Sequence, residues 1–173
     1  MNINDILDTS QIVCILNTTK FGTLTFNKNT IHINLTNVLL PFGCEKYNDK
    51  LILNIELENN NINNNIISKL EVLEKNFQNQ NLKSNLQTIN NIKNKGIISV
   101  LKKSKLGTII RSHILKNTNI YIKKKDGEKI EIPYSDLQNT SCNINLLIQG
   151  FWINSNTYGL YIIVDNIEIL KFN

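Results

Sequence analysis

The sequence has no alanine, a single arginine (Arg111) and only two prolines, while asparagine, isoleucine and lysine are abundant. The abundant residues have A/T-rich codons and the scarce ones G/C-rich codons. That points to a very A/T-rich genome, such as that of a giant virus, a cytoplasmic plasmid or a parasite. Such codon bias fills surfaces with lysine and asparagine, so the clustering of charge is better evidence than its amount. One arginine in the whole chain argues against guanine-specific recognition, which leans on bidentate Arg contacts. Cysteine is scarce too. Cys14, Cys44 and Cys142 are far apart, odd in number and form no Cys-x-x-Cys pair. This argues against a disulfide framework and a zinc site, and fits reduced thiols in a cytosol. No apolar run approaches the ~20 residues needed to span a bilayer, so no membrane partner is expected. Residues 1–10 carry Asp5 and Asp8 instead of a basic start with an apolar stretch, so they are no secretory signal.

Catalytic patterns are missing as well. His32 and His113 have no local serine or carboxylate context, and there is no Gly-x-Ser-x-Gly, P-loop or dinucleotide fingerprint. The aspartates form no paired-carboxylate motif. The expectation is a protein that is not an enzyme and needs no metal or cofactor.

What is there suffices for a folded core. The chain has 173 residues, of which 41 % are apolar, so one domain spanning 1–173 is expected. Net charge is +5 and the pI is near 9.1, which favours a polyanionic partner. Residues 11–16, 21–26 and 30–35 are rich in β-branched and aromatic residues and read as strands. Residues 51–57 alternate Leu51, Leu53, Ile55 and Leu57 against Ile52, Asn54 and Glu56, which predicts one buried and one wet face. Residues 58–65 read as an asparagine-rich loop. The period then changes: Ile66, Leu70, Leu73 and Phe77 form one helical stripe, with Asn65 as the N-cap. Residues 78–95 read either as a second helix or as a connection, so the helical, Asn-rich insertion covers about 58–95. The β pattern returns at 97–101 and 108–115. Residues 119–125 and 128–134 predict a hairpin with Asp126-Gly127 as a type I′ turn. Residues 146–153 and 158–170 complete the chain around the turn 154–156. Many short strands around one helical insertion predict a mainly β fold, a small, partly closed barrel.

Aromatic rings and lysines interleave along these strands. Lys46 and Lys50 flank Tyr47; Lys102, Lys103 and Lys105 lead to Arg111; Lys123 and Lys125 follow Tyr121. Phe21, Phe42, Tyr134, Trp152, Tyr158 and Tyr161 complete the ring set. A lysine run by itself is usually a solvated face. Basic grooves with stacking rings, however, are what single-stranded nucleic acid requires, and no basic helix suited to a duplex groove is present. Tyr121 has the best case, lying between inward Ile120 and Ile122 and in line with Lys123. Trp152 reads two ways, because it shares strand parity with Leu146 and Ile148 and so also fits the core.

The order Pro41-Phe42-Gly43, Lys46-Tyr47, Lys50 and Leu53-Asn54-Ile55-Glu56-Leu57, then Ser104-Lys105-x-Gly107-x-x-x-Arg111, then Gly150-x-Trp152, Tyr158-Gly159-Leu160-Tyr161 and Ile167 resembles the single-stranded DNA-binding proteins of nucleocytoplasmic large DNA viruses and cytoplasmic linear plasmids. Those are similar to phage-type single-strand binders. The resemblance implies an OB-fold-like five-stranded barrel with extra strands and single-strand binding without sequence specificity. It also implies a role in DNA replication, recombination or repair at a replication site in the host cytoplasm. RNA as a second ligand, replication proteins as partners and self-association are compatible with it. Phage-type binders usually end in an acidic tail, and this chain ends Glu168-Ile169-Leu170-Lys171-Phe172-Asn173, so tail-mediated recruitment is not carried over. The competing expectation is a structural or protein-interaction module, a virion or replication-complex component whose helix 66–77 docks a partner.

Overall fold

A computed structural model of the protein describes residues 1–6, 12–18, 20–79, 95–105 and 107–172. In chain order the strands are β1 (Ile12–Leu16), β2 (Phe21–Phe26), β3 (Ile31–Leu40), β4 (Cys44–Tyr47) and β5 (Lys50–Leu57), followed by helix α1 (Asn61–Asn79). Then come β6 (Gly96–Ile97), β7 (Leu101–Lys103), β8 (Thr108–Ile114), β9 (Asn119–Lys123), β10 (Lys129–Glu131), β11 (Thr140–Ile153) and β12 (Thr157–Phe172).

Pairing runs β11–β3–β5–β8–β12, and β12 pairs back onto β11, which closes a five-stranded ring. In chain order the ring strands are first β3, second β5, third β8, fourth β11 and fifth β12. Around the ring the order is first, second, third, fifth, fourth. The third and fifth are parallel, with His113 against Ile163, and the other ring pairs are antiparallel. This Greek-key closure makes an OB-like barrel, as expected. The extra strands extend it: β1–β2 adds to the end of β11, and β9–β10 continues along β12 beyond β8.

The inward parity of each strand fills the barrel. Ile31, Ile33 and Leu35, Leu53, Ile55 and Leu57, Ile144, Leu146 and Ile148, and Leu160, Ile162 and Val164 are all buried in one cluster. The helical stripe Ile66, Leu70 and Leu73 joins that cluster. Burying such side chains contributes about 1.5–3 kcal/mol each and holds α1 on the barrel. Lys69 Nζ donates to the carbonyls of Ile3 (3.0 Å) and Asn4 (2.7 Å), tying the 3-10 turn Ile3–Asp5 to the helix.

Several local expectations change. The helix begins at Asn61, four residues before the expected cap. Asn60 caps it, its Oδ1 accepting the Asn63 N–H at 2.9 Å, so Asn61–Asn65 are helical and not loop. The possible second helix falls mostly on residues 80–94, outside the described residues. The Asp126-Gly127 turn is a three-residue loop. Lys124 N–H donates to Glu128 O, Gly127 N–H donates to Lys124 O, and of these loop residues only Gly127 has positive φ. The β4–β5 hairpin is not among the hairpins the sequence predicts. Asn48-Asp49, with φ of 46° and 61°, turns β4 into β5. Finally, β5 has no wet face along most of its length: Ile52, Asn54 and Glu56 are buried as well.

Candidate nucleic-acid interface

Residues directly opposite each other in a sheet share a face, so strand registers define what the outer barrel wall presents. On β5, Lys50, Ile52, Asn54 and Glu56 point outward. Ile52, Asn54 and Glu56 stand opposite His113, Arg111 and Ile109 of β8, and Lys102 of β7 lies opposite Ile109. Through β12 the face continues with Ile163 against His113, then Tyr161 and Gly159. On β11, Gly150 and Trp152 oppose Tyr161 and Gly159, and on β2, Thr23 and Phe21 oppose that same pair. Tyr47 joins from β4, opposite Lys50.

The result is a single surface to which residues distant in sequence converge. Phe21 meets Tyr161 edge-on, centroids 5.1 Å apart, and Tyr161 lies tilted against His113 at 4.7 Å. Trp152 lies over Gly159, where a Cβ would come within 2.8 Å of the indole. Gly150 lets β11 pass close to β2, since a Cβ there would overlap the Gly22 carbonyl. Beyond the rings, Ile52, Ile109 and Ile163 form a floor that is at most 8 % exposed yet lies outside the core cluster. Lys50, Lys102 and Arg111 are exposed on this face. Burial, then the charges of Lys50 and Arg111, hold the His113 pKa below its ordinary value. Burial raises that of Tyr161.

Of the residues singled out from sequence, Phe21, Tyr47, Lys50, Lys102, Arg111 and Trp152 share this face. Trp152 is half-buried on the outside because a register shift between Ile148 and Gly150 reverses the parity of β11, sending Phe151 into the core instead. Tyr158 is a correction. It is 1 % exposed in the core, where no base can stack on it, and its hydroxyl is 3.5 Å from the Glu74 carbonyl.

The remaining candidates lie elsewhere. Lys46 falls on the opposite face from Tyr47 and pairs with Asp49 at 3.3 Å. Lys103 also faces away from Lys102, its Nζ 3.4 Å from Thr108 Oγ1, and with Lys105 it lines a groove beside α1. Tyr121 and Lys123 project outward farther along β12, and Lys125 sits in the hairpin loop. The Tyr121 ring is not free: Lys129 Nζ sits 4.2 Å from its centroid, and Glu131 and Glu168 are its cross-strand neighbours. Phe42 is exposed on the β3–β4 loop, and Tyr134 is exposed on the 3-10 turn Tyr134–Leu137, which lies beside β4.

The sequence alone does not single out His113, and it gives Tyr161 only as one of the rings. The parity of β8, which places Ile110, Ser112 and Ile114 inward, is the signal that would have placed His113 beside Arg111.

No protein-family model and no curated protein matches this chain. Solved structures do. The single-stranded DNA-binding protein from bacteriophage Enc34 in complex with ssDNA aligns with a TM-score of 0.53 at 13 % identity, covering 95 % of this chain and 98 % of that one. A second structure of the single-stranded DNA-binding protein from bacteriophage Enc34 gives 0.51 at 13 % identity, covering 92 % of this chain and 89 % of that one. Its C-terminal truncation gives 0.53 at 12 %, covering 96 % and 98 %. The likeness is one of fold, and it extends over nearly the whole of each chain.

Proposed function

We propose that this protein binds single-stranded DNA through the outer face of the barrel, without catalysis, and protects or presents strands during replication, recombination or repair of a viral or plasmid-type genome. The observation that carries the reading is the convergence of Phe21, Trp152, Tyr161 and His113 with Lys50, Lys102 and Arg111 on that one face. In OB barrels the face of the second and third strands is the one that takes oligonucleotides, and here those strands are β5 and β8. Stacked bases contribute about 1–3 kcal/mol each, and every base offers a face, so strands of any sequence bind. The cations neutralise phosphates and release counterions. The fold shared with a phage protein solved on ssDNA supports the same reading.

The test is fluorescence anisotropy of labelled oligo-dT against a hairpin-free duplex, at several salt concentrations. The expected result is much tighter binding of the single strand, with affinity falling as salt rises. Equal affinity for both forms would overturn the proposal, and absence of any binding would favour the protein-interaction reading.

A further inference from the structure

Lys103 and Lys105 lie off the ring-bearing face, and the structure gives them a place of their own. The segment before them bonds to both β12 and β8: Ile98 N–H donates to Tyr158 O (2.8 Å), Arg111 N–H donates to Val100 O (2.9 Å), and β7 pairs with β8. Lys102 therefore stands on the outer face between β12, where Trp152 packs over Gly159, and Ile109 of β8. Lys103, the next residue along the strand, points to the other side. The β7–β8 turn that follows is firmly held. Ser104 N–H donates to Gly107 O (2.9 Å), Gly107 N–H donates to Ser104 Oγ (3.0 Å), and that hydroxyl donates to Glu56 Oε1 (2.9 Å) on the outer face. A Cβ at Gly107 would overlap the Leu57 carbonyl, so the turn lies directly against the end of β5. It forms a rim, with the outer face on one side and a groove on the other.

The groove runs between this turn and α1 and encloses about 460 Å³, within the range of clefts that hold one small ligand. Its charged lining is two cations, Lys103 and Lys105, against one carboxylate, Glu71. Both lysines are exposed, and neither forms an ion pair with a described residue; Lys103 only approaches Thr108 Oγ1, at 3.4 Å. Unpaired positive charge in a concave site concentrates its field on anions. No aromatic ring is among the described residues that line the groove, and Asn59, Asn64 and Ser68 give it a polar wall. It therefore suits phosphates and sugars and not stacked bases. Lys102 and Lys103 place one cation on each side of the rim. We infer that the bound strand does not end on the outer face: it crosses the β7–β8 turn and lays further backbone in the groove beside α1, with Lys103 and Lys105 each taking a phosphate. This rests on the single-strand reading above and extends the site to a second surface without adding any sequence preference.

The test uses oligo-dT of about 6 and about 16 nucleotides, both within the site-size range of one such barrel. Trp152 is the only tryptophan in the chain, so its emission reports occupation of the outer face by either strand. K103Q/K105Q, at two exposed positions, should weaken binding of the longer strand at low salt by at least about fivefold and make its log–log salt slope shallower by up to about 1.4. The same variant should bind the shorter strand as the wild type does, and at saturation both strands should change Trp152 emission as in the wild type. E71Q, which removes the carboxylate of the groove, should tighten binding of the longer strand and leave the shorter one unchanged. Unchanged affinity of K103Q/K105Q for the longer strand would overturn the inference while leaving the binding face intact. Equal losses for both lengths would do the same, since the two lysines would then act on the strand held by the face. Failure of the wild-type protein to bind either strand would overturn the reading of the face itself.

Discussion

Trp152 packs over Gly159: a Cβ at position 159 would stand 2.8 Å from Trp152 Cζ2 and 2.7 Å from the carbonyl oxygen of Ile98. The indole is thus held against β12 by the absence of a side chain at position 159, on the same face that carries Phe21 and Tyr161. G159A should lift the ring and push on the backbone near Ile98. The expected outcome is weaker oligo-dT binding, a changed tryptophan emission and a lowered melting temperature. W152A, which removes the ring without touching the backbone, should weaken binding by about 1–3 kcal/mol. Titrating labelled oligo-dT against both variants, with emission spectra of the free proteins, checks this. Full affinity in W152A would remove the indole from the interface.

That relationship also marks where sequence reasoning stops. Local alternation located β2, β9 and the helical stripe of Ile66, Leu70 and Leu73, because burial on one face writes its period into the chain. A bulge writes no such signal. The shift between Ile148 and Gly150 reverses parity with no change in composition, which is why Trp152 read as a core residue as readily as a surface one. The β4–β5 hairpin was illegible because Asn48-Asp49 takes positive φ without a glycine. The site residues were recognisable by type, but their assembly depends on registers between strands up to about 140 residues apart, and no local pattern encodes those. Tyr158 is the exception. Its parity with Leu160, Ile162 and Val164 was available in the sequence and points inward.

Tyr158 and Tyr161 therefore make a paired test of the strand faces. Tyr158 is in the core, so Y158A should cost about 3–5 kcal/mol of stability, as truncating a large buried ring does. Its effect on oligo-dT affinity should come only through the loss of folded protein. Tyr161 is on the outer face, between Phe21 and His113. Y161A should weaken binding by about 1–3 kcal/mol with a smaller shift in melting temperature, and Y161F should bind nearly as wild type, since stacking uses the ring. Denaturant melts alongside anisotropy titrations separate the two effects. A reversal between the variants would mean that β12 presents its other face.

Charge should sort the lysines in the same way. Lys50 and Arg111 flank the platform, whereas Lys123 and Lys125 sit on the β9–β10 hairpin, where Lys129 covers the Tyr121 ring and Glu131 and Glu168 lie close by. Each phosphate neutralised on a single strand adds about 0.7 to the slope of log affinity against log salt. The double variant K50Q/R111Q should make the slope shallower by up to about 1.4. K123Q/K125Q should change it less. The measurement is the slope between low and moderate salt for one oligo-dT length. Equal loss from the two pairs would extend the interface along β12 to the hairpin.

His113 links this face to the stability of the fold. Its ring packs on Tyr161, and burial, reinforced by Lys50 and Arg111, holds its pKa below the ordinary value of 6.5. In the unfolded chain the imidazole titrates near that ordinary value, so on acidification the unfolded state takes up a proton first. Stability from this residue is therefore present above about pH 6.5 and is lost as pH falls through the lower folded-state value. H113F keeps a ring against Tyr161 and cannot be protonated. Between pH 7.5 and 5, its stability should fall less than that of the wild type, with the two curves diverging as the pH drops. K50Q should lie between them, because it removes one of the charges that oppose protonation. Urea melts at half-unit pH steps give the curves, and H32Q serves as the control for the second histidine. Parallel curves for wild type and H113F would mean that His113 has the same proton affinity in the folded and unfolded chain, and would remove the cationic, desolvated setting assigned to it here.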